Sequence, residues 1–119
     1  MINLTSNSVK VRLVLDAVDM RKSFNGLTSV IRSLHETDPN PEYVYIFSNK
    51  RRNRVKILYY DRSGVWVAAK RLEEGSFSWP ATSGKNEVVM PLAAEALQLL
   101  IDGVDLRDAK LREWYRDPR

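Results

Sequence analysis

The sequence is 119 residues long, enough for one domain with a real core, and its 44% hydrophobic and 29% charged content argues against wholesale disorder or a fibrous repeat. It has no cysteine and a single histidine, His35, so disulfides, thiolate nucleophiles, cysteine-type zinc sites and imidazole triads are excluded together. The formal charge of +4 is concentrated: residues 50–71 hold Lys50, Arg51, Arg52, Arg54, Lys56, Arg62, Lys70 and Arg71 against Asp61 alone, while the flanks are neutral or acidic, a pattern that points to a localised anionic partner.

Taken in chain order, Met1 to Val9 lacks the charged start and apolar centre of a signal peptide. Val9, Val11, Leu13 and Leu15 then alternate with Lys10, Arg12, Val14 and Asp16, the period of a strand with one clearly apolar face. Asp19 is placed to cap a helix on which Phe24, Leu27, Ile31 and Leu34 recur at helical spacing, and Asp38-Pro39-Asn40-Pro41 stops it. Three strands are predicted at Tyr43–Ser48, Arg54–Tyr60 and Val65–Arg71, separated by residues 49–53 and 61–64, giving a basic antiparallel meander over 43–71. The stretch around Phe77, Trp79-Pro80 and Ser83-Gly84 reads as irregular edge structure, followed by a short strand at Glu87–Met90. Pro91 is suited to open a helix carrying Ala93, Ala96, Leu97, Leu100 and Ile101, with Gly103 to end it. A tail over 104–119 adds Leu111, Trp114 and Tyr115 at one-turn spacing. No repeat, no linker and no apolar run of the roughly 18 to 20 residues a membrane helix needs is present. The expectation is one α+β domain over residues 1–119, soluble and cytoplasmic: a mainly antiparallel sheet of about five strands packed against two helices.

A symmetric closure of the 61–64 turn sets Tyr60 opposite Val65, Leu58 opposite Val67, Lys56 opposite Ala69 and Arg54 opposite Arg71. Apolar partners then lie near the turn, and the far end gathers Arg54, Lys56, Lys70 and Arg71 beside the loop with Lys50, Arg51 and Arg52. Like charges facing each other in a sheet repel unless an anion sits between them, and a phosphate backbone is such an anion. Arg52, Arg54 and Lys56, about 7 Å apart in succession, form a row of candidate phosphate contacts. The opposite face is expected to carry Tyr43, Tyr45, Phe47, Tyr59 and Trp66 with Val55 and Ile57. Such rings could stack on unpaired bases, but a core beneath a helix is the more economical reading. Arg21 and Lys22, in the first turn after the Asp19 cap, oppose the helix dipole and would make a compact anion site with the free backbone donors of the helix start, for which Asp19 competes.

For catalysis the sequence offers little. Asp16, Asp19, Asp61, Glu73 and Glu74 are imaginable as metal ligands of a nuclease, but cap, turn and loop roles account for them, and no phosphate loop or nucleophile elbow is present. No cofactor and no metal site is expected.

The ordered set Asp19-Met20-Arg21-Lys22, Phe24, Gly26-Leu27, Arg54-Val55-Lys56-Ile57-Leu58-Tyr59-Tyr60-Asp61-Arg62, Gly64, Lys70-Arg71-Leu72-Glu73, Gly75, Phe77, Trp79-Pro80 and Gly103-Val104-Asp105 resembles the TnpB accessory proteins of the "IS sixty-six" insertion-sequence transposons. These are the small second-reading-frame proteins, not the RNA-guided nuclease that shares the label. Ser23 stands where that family often has glycine, and Asn25 and Asn53 where it often has aspartate, which argues against a metal site. The resemblance implies a non-enzymatic accessory factor in transposition whose partners are the element's DNA and the cognate transposase. Arg21, Lys22, Arg54, Lys56, Lys70 and Arg71 are then the strongest candidates for contact, supplemented by Lys50, Arg51, Arg52 and Arg62, with Trp79, Trp114 and Tyr115 as candidates for docking a protein partner. The alternatives are a protein-only adaptor of the transposase and a metal-dependent nuclease.

Overall fold

Five short strands join in one sheet. A computed structural model of the chain describes residues 10–80 and 88–103. Within them the order is β1 (Lys10–Val14), α1 (Phe24–His35), β2 (Tyr43–Ser48), β3 (Arg54–Tyr60), β4 (Val65–Arg71), β5 (Val89–Leu92) and α2 (Ala94–Ile101). The strands lie side by side as β4-β3-β2-β1-β5. All neighbours are antiparallel except β1 and β2, which are parallel, because α1 carries the chain back to the end of the sheet at which β1 began. The expected α+β architecture of five mainly antiparallel strands and two helices is the one observed.

The helices cover opposite faces. Leu27 and Ile31 of α1 close over Val14, Tyr45, Phe47 and Leu58. Leu97 and Leu100 of α2 close over Val11, Leu13, Val44, Ile46, Val55, Ile57 and Tyr59. The central strands β1 to β3 are therefore apolar on both sides, and β1, expected to have one apolar face, buries Val14 as well as Val11 and Leu13.

The β3–β4 pairing has the predicted register, Tyr60↔Val65, Leu58↔Val67, Lys56↔Ala69 and Arg54↔Arg71. The aromatic residues do not share a face. Tyr45 pairs with Leu58 and Phe47 with Lys56, so Tyr43, Tyr45 and Phe47 lie under α1, while Tyr59, Trp66, Val55 and Ile57 lie on the α2 side. The loop between β2 and β3 sets this, since a one-residue change in its register exchanges the faces.

Element boundaries also differ from expectation. α1 starts at Phe24 with Ser23 as N-cap, not Asp19, and it ends at His35, where Glu36 takes the left-handed conformation (φ 57°) and its N–H bonds Arg32 O. β5 runs to Leu92 and includes Pro91, which pairs with Arg12. Leu15 N–H bonds Val88 O, so the alternation of the ladder turns the Pro91 nitrogen outward, where no donor is required. α2 consequently begins at Ala94. Gly103, with φ 80°, follows it as the expected terminator. Trp114 and Tyr115 lie outside the described residues.

Candidate nucleic-acid interface

The parallel pair decides where the charges meet. The chain leaves the carboxyl end of β1 toward α1 and the carboxyl end of β2 toward the 49–53 loop, and β3 starts and β4 ends at that same end. One rim of the sheet thus holds the start of α1, the basic loop, Arg54 and Arg71.

The loop is organised by Asn49, its first residue, for which the sequence carries no separate signal. Its Oδ1 accepts the backbone N–H of Asn53 and of Arg54, each at 3.1 Å, and its Nδ2 donates to Asn53 Oδ1 at 2.7 Å. This knot leaves Lys50 and Arg51 exposed and turns Arg52 inward. Arg52 has φ 58°; its Nη2 donates to Leu15 O at 3.0 Å, and its guanidinium lies 5.2 Å from the Trp79 ring centre. Its Nη1 is buried with no hydrogen-bond partner among the described residues. Burial moves its pKa down, opposed by the charge of Asp16. Arg52 is thus spent on the fold and does not continue the row of Arg54 and Lys56.

Arg54 and Arg71 face each other across β3 and β4 on the α1 side, at a spacing of about 4.5 Å between Cα atoms for a pair that exchanges no hydrogen bonds. Both are exposed, and among the described residues the one acidic group paired with either is Glu73, 3.5 Å from Arg71. Lys56, next on the same face, donates from Nζ to Lys22 O at 2.7 Å. That bond joins the two basic segments, far apart in sequence, into one cluster.

Lys22 lies across the first turn of α1. A Cβ at Gly26 would come within 2.9 Å of Lys22 Cβ, so glycine is what lets the lysine stem approach. Ser23 makes no side-chain cap and the first turn has no acidic residue, which leaves the helix start positive. Arg21 behaves differently. Its guanidinium binds both carboxylate oxygens of Asp19, the shortest contact 2.7 Å. Asp19 also accepts the Arg21 backbone N–H, and these bonds hold its carboxyl well below the usual carboxylate range. Arg21 therefore stands at the rim with its charge largely matched, although its side chain is 91% exposed.

The remaining candidates separate from the cluster. Lys70 lies on the α2 face, its Nζ donating to Ile101 O at 2.8 Å, where a cation suits a helix C-terminus. Arg62 sits in the β3–β4 turn at the other end of the hairpin. Trp79 donates its indole N–H to Val14 O at 3.1 Å and packs on the core, so it serves the fold. Two exposed aromatics were not singled out by the sequence as docking residues: Phe24, 47% exposed at the start of α1, and Trp66, 46% exposed and stacked on Tyr59. Among the described residues no group of three or more acidic or histidine side chains is disposed to hold a metal, and no helix is long and apolar enough to cross a membrane.

Two curated relatives match over most of their length. The uncharacterized protein y4jC of Sinorhizobium fredii is 29% identical over 100 residues, 84% of this chain and 83% of the relative. The uncharacterized protein y4hO of the same organism is 25% identical over 103 residues, 87% of each. No solved structure matches. The model of the family described as IS66 Orf2-like protein matches residues 9–111, which span the whole sheet, both helices and the basic rim. The chain belongs to the IS66 Orf2-like family.

Proposed function

We propose that this protein is a non-catalytic accessory factor in transposition of its insertion-sequence element. It would act in the cytoplasm by gripping DNA phosphates with Lys22, Arg54, Lys56 and Arg71, flanked by Lys50 and Arg51, alongside the cognate transposase. Membership of the family supports the transposition role. The observation that carries the DNA reading is the facing pair Arg54 and Arg71 tied to the start of α1 through Lys56. Holding like charges together works against folding, and a polyanion is the partner that makes such an arrangement favourable. Contacts of this kind position a duplex and read little of its sequence.

Titration of labelled duplex and single-stranded DNA at several salt concentrations tests this. Affinity should fall linearly with salt on logarithmic axes, and Arg54→Ala and Arg71→Ala should each weaken binding and reduce the slope by about 1. Arg62→Ala, at the far end of the hairpin, should leave the slope in place. Capture of the transposase without any salt-sensitive DNA binding would favour the protein-only adaptor. Cleavage of DNA with magnesium or manganese that disappears in Asp61→Asn or Glu73→Gln would replace the non-catalytic reading with a nuclease.

A further inference from the structure

The two edges of the sheet are built differently. β5 is four residues long and contains Pro91, both ordinary protections of an edge. β4 is seven residues long, unbroken in its pairing with β3, and has no proline and no charge before Lys70. Its free backbone groups follow from the ladder. Asp61 N–H bonds Gly64 O, and Leu72 N–H bonds Asn53 O. Alternation between these points commits Trp66, Ala68 and Lys70 to β3 and leaves the N–H and C=O of Val65, Val67, Ala69 and Arg71 directed outward. None of these four has a backbone partner on that side among the described residues.

We infer that β4 is a self-association edge, and that two copies of the chain join β4 to β4 antiparallel about a two-fold axis through Ala68. The sequence of the strand is complementary to its own reverse. In this register Val65 meets Arg71 of the second copy and Val67 meets Ala69 on one face; Trp66 meets Lys70 and Ala68 meets itself on the other. Every outward group of the four finds a partner, about eight hydrogen bonds in all at two per bonded pair. No two cations face each other, and the exposed ring of Trp66 is covered beside the smallest side chain of the strand. Moving the axis toward Lys70 brings the two basic ends together, which repels. Moving it toward Trp66 leaves Ala69 to Arg71 unpaired. A closed two-fold contact also prevents open-ended growth along the edge.

The inference stands apart from the DNA reading, but the two are compatible. The axis runs through the sheet, so both α1 faces lie on one side of the ten-stranded product, with the two Arg71 positions about 20 Å apart along the strands.

The full chain contains no cysteine, which makes cross-linking specific. Light scattering at tens of micromolar protein should give twice the 13.7 kDa chain mass. Ala69→Pro removes an outward N–H at an exposed position and should halve the mass with the circular dichroism spectrum unchanged. Ala68→Cys should form a disulfide-linked dimer under mild oxidation many times faster than Ser33→Cys, placed on the exposed side of α1. A monomer at every accessible concentration overturns the inference, as does a dimer that survives Ala69→Pro. If Ala69→Pro does not fold, the cysteine pair decides: equal cross-linking rates reject the β4 contact, and a rate confined to Ala68→Cys upholds it.

Discussion

Arg52 shows how one charge of a basic segment can be taken by the fold. Its positive φ is a strained conformation for a residue with a Cβ, costing about 1–3 kcal/mol, and its return is the bond to Leu15 O and the Trp79 ring. Arg52→Ala keeps the strain and loses both, so unfolding free energy should drop by about 1–3 kcal/mol, measured by urea denaturation, with the DNA salt slope unaltered. Arg52→Gly should recover part of that loss, since glycine accepts positive φ. A reduced slope at full stability would instead return Arg52 to the interface. Asp61 gives the residue-scale pH dependence. The Trp66 indole N–H at 2.7 Å, then the N–H groups of Ser63 and Gly64, hold its carboxyl below the usual range. A depressed acid stabilises the fold above its unfolded pKa, about 3.9, and that contribution disappears as pH falls through the folded value. The urea midpoint should therefore fall on going from about pH 5 to about pH 2.5, and it should fall less in Asp61→Asn, which cannot take up that proton. Equal falls in the two proteins would show that the turn gains nothing from the charge.

At the scale of elements, α1 starts without a side-chain cap and beside Lys22 and Lys56, a choice that local stability does not favour. Ser23→Asp should raise unfolding free energy by about 0.5–1 kcal/mol through capping and the dipole, and it should weaken duplex binding by placing a carboxylate inside the cationic rim. Higher stability with unchanged affinity would remove the helix start from the interface. The strands β2 to β4 and the register of β3 with β4 were legible because runs rich in β-branched and aromatic residues are bounded by turn-forming segments, and a four-residue turn fixes which residues face each other. The sidedness of β2 was not, because it depends on the Asn49 knot and the left-handed Arg52 within a five-residue loop, neither of which has a periodic signature. Pro91 suits a helix start and an outer strand equally, and the pairing of β5 with β1 decides between them. In the candidate site the cluster of cations at one rim was legible from charge and register. Its internal division was not: side-chain contacts, and not spacing, withdraw Arg52, send Lys70 to α2 and match Arg21 with Asp19.

For the molecule as a whole, the sheet has a separate apolar layer on each face, but β1, β2 and β3 contribute alternate residues to both. Neither layer can be lost while the other keeps its lining, since the same backbone supports Tyr45 and Phe47 toward α1 and Val44 and Ile46 toward α2. This geometry requires a single cooperative transition. Ile31 and Leu97 are each fully buried, one on each side, so Ile31→Ala and Leu97→Ala should each cost about 2–5 kcal/mol. In both variants tryptophan fluorescence and far-ultraviolet circular dichroism should move together to the same lower urea midpoint. If the layers were independent, Ile31→Ala would split the transition, with helix signal lost first while the tryptophans of the α2 side, Trp66 and Trp79, stayed in place. A basic rim formed by the ends of β3 and β4 and the start of α1 would then come apart when α1 alone detached, because the Lys56 bond to Lys22 O spans that joint. Coincident transitions mean that the rim persists as a unit for as long as the domain is folded.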